Sequence, residues 1–304
     1  MFRAVTKIDQ WLHAPAPAER LAALRITTGA FITVYMLGNV REFDRVAALD
    51  ANGFEPIGIA RLLDSPLPSV VVWSLFAALL VTGTAFTLGV MVRFVGPVFA
   101  LLTLGWVSYH SSWGQLLHFE HLFTIHVLIL AVAPSADAWS LGRSDPAPPP
   151  STRYGWPIRL LCLATVVTYL LSGIAKLRFS GADWFDPDTL ATHIGYSATR
   201  METIGGRLPP LARPILQQQW LIGPMAVGAI AVELGAPLAL TSRRARNLWV
   251  PAALLFHLGT AATMLVFFGY RGLGFAMLPL FHLEKLPRRA ITIVATLRPR
   301  TVPA

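Results

Sequence analysis

Apolar windows of about twenty residues recur along most of this 304-residue sequence, and at 1.5 Å per residue each is long enough to cross roughly 30 Å of hydrocarbon. They fall near 20–39, 69–92, 94–111, 116–133, 157–177, 219–241 and 247–268, with a shorter one at 272–283. Inside a bilayer a segment must satisfy its own backbone hydrogen bonds, so windows of this length predict helices. The expected fold is all-α: a polytopic integral membrane bundle of seven to eight transmembrane helices over 20–283, with no sizeable soluble domain. Ahead of it, 1–19 sets Ile8, Trp11 and Leu12 among Arg3, Lys7 and Asp9, the pattern of an interfacial amphipathic helix. Behind it, 284–304 is an expected basic cytoplasmic tail.

Composition excludes the main soluble classes. Apolar residues make up 54% and charged residues 13%, with mean hydropathy +0.56, too little charge to coat a soluble domain of this length. A secretory signal would instead show one short apolar stretch followed by polar sequence. The net charge of +9 and pI near 10.4 would suit nucleic acid, but the basic residues cluster at the ends of apolar runs and no basic aromatic module accompanies them. The expected partner is therefore the lipid bilayer and not nucleic acid. With eight spans and the N-terminus in the cytoplasm, fifteen Lys and Arg fall on the inner side and nine on the outer side, which predicts an N-in, C-in topology. Arginine used over lysine, with abundant alanine, points to a high-GC bacterial source and a multi-pass protein of the inner membrane. The single cysteine, Cys162, sits in an apolar run and rules out an internal disulfide.

Two loops and a linker interrupt the spans. Residues 141–153, with Pro146, Pro148, Pro149 and Pro150, predict a stiff extended linker between the two halves. The outer loop at 41–68 contains the turn signal Asn52-Gly53, and the loop at 178–219 contains Asp186-Pro187, an N-cap with proline at the first helical position. A short helix from Pro187 toward Tyr196 follows from that signal.

Polar residues inside such windows are the functional candidates, because a charged one costs roughly 2.5–3.5 kcal/mol to insert and needs a partner. Only Lys7, Lys176 and Lys285 are lysines, and Lys176 closes the apolar run LLCLATVVTYLLSGIAKL at 160–177. Unlike arginine, a lysine amine moved out of water can lose its proton near neutrality and act as a base; it can also mark the membrane edge and snorkel. The fourth window carries His118, Glu120, His121 and His126, the sixth Glu233 and the seventh His257. Arg25, five residues into the first window, reads as a helix-end or inter-helix pairing group. His118 and His121 with His257 or Glu233 could form a metal shell, but membrane di-iron enzymes carry more histidines in denser boxes, and no metal is expected. The histidines serve equally as hydrogen-bonding and proton-carrying groups around an organic cofactor, or as inter-helix fasteners.

Three stretches stand out: YLLSGIAKL at 169–177 followed by Asp183-Trp184, FHLGTAATMLVFFGYRGLGFAMLPLF at 256–281, and the run from Trp113 to Trp139 containing His121. In order and at similar spacing they resemble the membrane part of vitamin K-dependent gamma-carboxylase, the horizontally transferred transmembrane (HTTM) domain. The resemblance implies a quinol-dependent enzyme of carboxylase-like or oxygenase-like lyase type. It implies that Lys176 is the neutral catalytic lysine on the outer side of the membrane, assisted by His121. His118, Tyr169, Glu233 and His257 are the expected cofactor-binding residues, and reduced vitamin K or menaquinol is the expected cofactor. Here Ala175 stands where the family has a second lysine, and the family's large soluble domain does not follow. The expectation is therefore quinol binding or oxidation in the bundle, with a separate soluble or substrate chain as an expected partner. A non-catalytic scaffold, or a lipid- or partner-binding protein, is the alternative.

Overall fold

The computed structural model describes residues 2–114, 116, 118–142 and 145–286. The basic tail expected at 284–304 lies outside the described residues beyond Leu286. Helices α1 to α12 run over Phe2–Leu12, Ala18–Gly38, Val40–Ala47, Ser69–Leu88, Val92–His110, His121–Val132, Thr152–Ser180, Pro187–Thr203, Ala212–Gln217, Gln219–Leu234, Arg243–Met264 and Gly269–Gly272. Among the described residues no strand forms beyond an isolated bridge between Ala16 and Ser151. Helices α2, α4, α5 and α7 are each long and apolar enough to cross a membrane. Large apolar side chains such as Val34, Val70, Val81, Leu101 and Leu171 remain exposed along them, as lipid-facing positions do.

Three windows differ from the sequence expectation. Helix α6 covers only 12 residues, Gly114 taking a left-handed φ of 72° and residues 118–120 a turn before it starts at His121. Helix α10 stops at Leu234, where Gly235 and Pro237, which has no N–H to donate, convert the chain to the 3-10 turn Ala236–Leu240. The segment 272–283 is not one helix: Gly274 takes a φ of 83°, and the chain continues as the 3-10 turn Phe275–Leu280, which contains Pro279.

The chain divides into two compact units, 1–161 with 281–304, and 162–280. In the first, α2 and α4 approach through two small residues. A Cβ at Gly29 would sit 2.5 Å from Thr87 Oγ1, and one at Gly83 would overlap Thr33 Oγ1. Each threonine turns its hydroxyl back to its own helix, Thr33 to Gly29 O at 2.8 Å and Thr87 to Gly83 O at 2.7 Å. The contact is therefore smooth and close, as lipid-embedded helices prefer. Arg25 has 0% exposure. Its guanidinium donates to the carbonyls of Ser135 and Trp139, both at 2.6 Å, and to Ser140 Oγ at 3.0 Å. These groups follow the C-terminal end of α6, where backbone carbonyls lack helical partners. Trp139 holds a φ of 50°, a left-handed geometry costing roughly 1–2 kcal/mol, which the charged bond to its carbonyl offsets.

Where α2 begins, Arg20 donates to Glu284 at 2.8 and 3.0 Å and contacts His282 Nδ1. Burial pushes the Glu284 carboxyl up, but its bonds with Arg20 outweigh this and hold it below its ordinary value of 4.5. A carboxyl depressed on folding contributes stability above its unfolded pKa, which is lost as pH falls through the folded one. Denaturation of the wild type should therefore become easier below about pH 4.5, and Glu284→Gln should flatten that acid limb; an unchanged limb in the variant would rule out this ion pair as its source.

Candidate functional site

The second unit gathers a polar cluster from helices α7, α10 and α11. Tyr169, Gly173 and Lys176 stand at i, i+4 and i+7 on α7 and so share a face. On α10 the buried positions Ile222, Ala226, Ile230 and Glu233 form a second stripe, which places Glu233 at its end. Gly173 lets the two faces meet, since a Cβ there would lie 2.8 Å from Leu234 Cδ2 and 3.0 Å from Glu233 Cβ. One turn further along, Lys176 Nζ lies 2.5 Å from Glu233 Oε1. The Lys176 side chain is 24% exposed and that of Glu233 only 4%. Gly173→Val should part the helices, lengthen this contact and cost roughly 1–3 kcal/mol by overpacking, read as a drop in midpoint in detergent denaturation.

Helix α8 fixes the near side of the cluster. Asp186 caps it by accepting from Asp188 N at 3.0 Å, and the helix runs on to Thr203, seven residues past the sequence expectation. Leu190 and Ile194 pack with Ile222 and Ala226 in one apolar core. The 3-10 turn Gly181–Phe185 before it sets the Trp184 ring 5.3 Å from Lys176 Nζ, within the range of cation–π attraction.

Helix α11 brings the third element. Trp249 Nε1 donates to Val232 O at 2.8 Å, tying α11 to α10 beside Glu233. Two turns later His257 Nε2 lies 2.6 Å from Tyr169 Oη, and the Trp249 ring meets Tyr169 edge-on at 5.0 Å. Leu265 ends α11 at φ 55°, and the returning chain sets Phe268 5.3 Å from the His257 ring. Thr165 Oγ1 donates to Ala276 O at 2.7 Å and ties this return to α7. Arg271 thereby reaches the cluster, its guanidinium 5.9 Å from the Tyr169 ring and 5.4 Å from that of Phe268.

Among the described residues, four buried polar atoms of this cluster have no hydrogen-bond partner: Glu233 Oε2, His257 Nδ1, Arg271 Nε and Trp184 Nε1. Buried polar groups are otherwise almost always satisfied, so the cluster has the chemistry of a site that receives a ligand with both acceptors and donors. Aromatic rings of Tyr169, Trp249 and Phe268 supply flat apolar walls beside these atoms. Among the described residues no group of three or more His, Cys, Asp or Glu could hold a metal ion.

Four of the six residues expected from sequence thus meet here: Lys176, Glu233, Tyr169 and His257. His118 and His121 belong to the first unit, where both are exposed at the entry to α6. Their neighbour Glu120 is 1% exposed and accepts from Tyr35 Oη at 2.8 Å, with His110 Nδ1 3.6 Å from its other oxygen. The sequence reading takes Lys176 as an isolated amine, whereas the structure sets Glu233 Oε1 at 2.5 Å and the Trp184 ring at 5.3 Å from its Nζ. Arg271 is the residue that sequence reasoning missed as part of the site, although an arginine within the apolar stretch FFGYRGLGF is itself a signal.

The profile of the HTTM domain matches residues 13–284. The chain belongs to the HTTM domain family. No curated protein matches it, and no solved structure does. In this multi-pass membrane protein the second unit lies wholly within the matched region, and the cluster on α7, α10 and α11 is internal to the HTTM domain.

Proposed function

We propose that this HTTM protein binds a reduced quinone of the vitamin K or menaquinol class in its second unit and that the Lys176–Glu233 pair takes up a proton from it. The observation that carries the reading is Glu233 Oε2, a buried carboxylate oxygen with no partner, beside a lysine that can balance its charge. The residues fit the group: Glu233 Oε2 would accept from a ring hydroxyl, His257 Nδ1 would meet a second ring oxygen, and Tyr169, Trp249 and Phe268 would flank a flat ring. When bound, a reduced quinone supplies two electrons and two protons to chemistry with an acceptor. The pair, rather than a lone neutral amine, is the acid–base unit. Lys176, the more exposed partner, passes the proton outward, and the Tyr169–His257 bond fixes the imidazole so that Nδ1 faces the ligand. The charge bias of the loops supports a cytoplasmic N-terminus in a bacterial inner membrane, with Lys176 on the outer side.

One observation favours a scaffold instead. Lys176 and Glu233 Oε1 satisfy each other across α7 and α10, as an inter-helix clamp would. Oxidation of menaquinol by the purified chain, followed by absorbance under air, separates the two. The proposal expects turnover in the wild type and a loss of roughly 100-fold or more in both Lys176→Ala and Glu233→Gln, the size of an acid–base contribution. Equal rates in wild type, variants and protein-free micelles would leave the clamp as the explanation.

A further inference from the structure

Arg271 is 6% exposed, and its guanidinium makes no hydrogen bond or ion pair among the described residues. Buried charges are otherwise paired, because an uncompensated one is expensive to desolvate. Glu233 attracts it electrostatically but gives its Oε1 to Lys176. Counting the cluster, Lys176 and Glu233 cancel, His257 Nε2 is engaged by the Tyr169 hydroxyl, and one positive charge remains on Arg271. We infer that Arg271 anchors a carboxylate borne on an apolar molecule. A monoanion brings the cluster to neutrality, whereas a dianion would be repelled by Glu233. The guanidinium fork matches the two oxygens of a planar carboxylate better than a single point charge would. The rings of Tyr169 and Phe268 on either flank, with Phe256 and Trp249 close to His257 and Tyr169, suit an apolar body behind that head group. The inference uses the same cluster as the proposed function but rests on its charge and not on its proton chemistry.

The test uses the full purified chain in dodecyl maltoside, with tryptophan fluorescence reporting titrations of dodecanoate, methyl dodecanoate and dodecyl phosphate at about pH 9, where the fatty carboxyl is ionised. Trp184→Phe and Trp249→Phe identify the part of the signal that comes from the cluster. The wild type is expected to bind dodecanoate about tenfold or more tighter than its uncharged ester, as a charge-assisted bond provides. Arg271→Gln should remove that preference, and Arg271→Lys should retain part of it. Equal affinity for acid and ester in the wild type, a measurement that needs no variant to fold, overturns the inference. So does a preference that survives in Arg271→Gln, and dodecyl phosphate binding more tightly than dodecanoate overturns the choice of carboxylate. Menaquinol oxidation that fails while the carboxylate preference persists removes the proposed function and leaves the anchor; oxidation by a wild type that binds acid and ester equally does the reverse.

Discussion

Replacing Glu233 alone by leucine should destabilise the protein by about 3–5 kcal/mol, while Lys176→Met together with Glu233→Leu should recover most of that loss. A buried charge stripped of its partner keeps its desolvation penalty, whereas an apolar pair of similar volume has none to offset. The 24% exposure of Lys176 places the single-variant cost toward the lower end, since the lysine can turn its head to water. Menaquinol oxidation should be lost in the single and double variants alike. The combination is diagnostic: stability recovered with activity absent assigns the pair to chemistry, and stability and activity recovered together assigns it to packing. Strictly additive stability losses in the double variant would mean that the two side chains do not touch.

Arg25→Met should cost roughly 3 kcal/mol or more, the sum expected when charge-assisted bonds are removed and buried carbonyls are left bare. The carbonyls of Ser135 and Trp139 have this guanidinium as their charged donor, and the left-handed Trp139 loses what holds it. Arg25→Lys should cost less, because an ammonium can reach one or two of these acceptors but cannot fork between them. Denaturation in detergent micelles at fixed lipid content reads both. A midpoint for Arg25→Met equal to that of the wild type would contradict the role of Arg25 in holding the end of α6.

Much of this architecture is legible in the sequence because bilayer length is a coarse and strict requirement. The apolar windows locate α2, α4, α5 and α7, and Asp186-Pro187 locates α8. Where the windows mislead, local backbone chemistry outweighs hydropathy: Gly235 with Pro237 ends α10, and Gly274 breaks the segment after α12. Lys176, Glu233, Tyr169 and His257 are each visible as polar residues in apolar sequence. Their pairing is not, because it depends on Gly173 admitting α10 and on the return chain after Leu265 carrying Arg271 back to Tyr169. A one-dimensional reading sees an isolated lysine where packing supplies a carboxylate.

The central claim is that the unpaired atoms of Glu233, His257 and Arg271 face a bound ligand. An experimental map of the full chain in nanodiscs, prepared with a menaquinone analogue, tests it most directly. The account predicts ring density in contact with Glu233 Oε2 and His257 Nδ1, with Lys176 still on Glu233 Oε1. Density for the analogue elsewhere, with these three side chains closed onto one another, would contradict it.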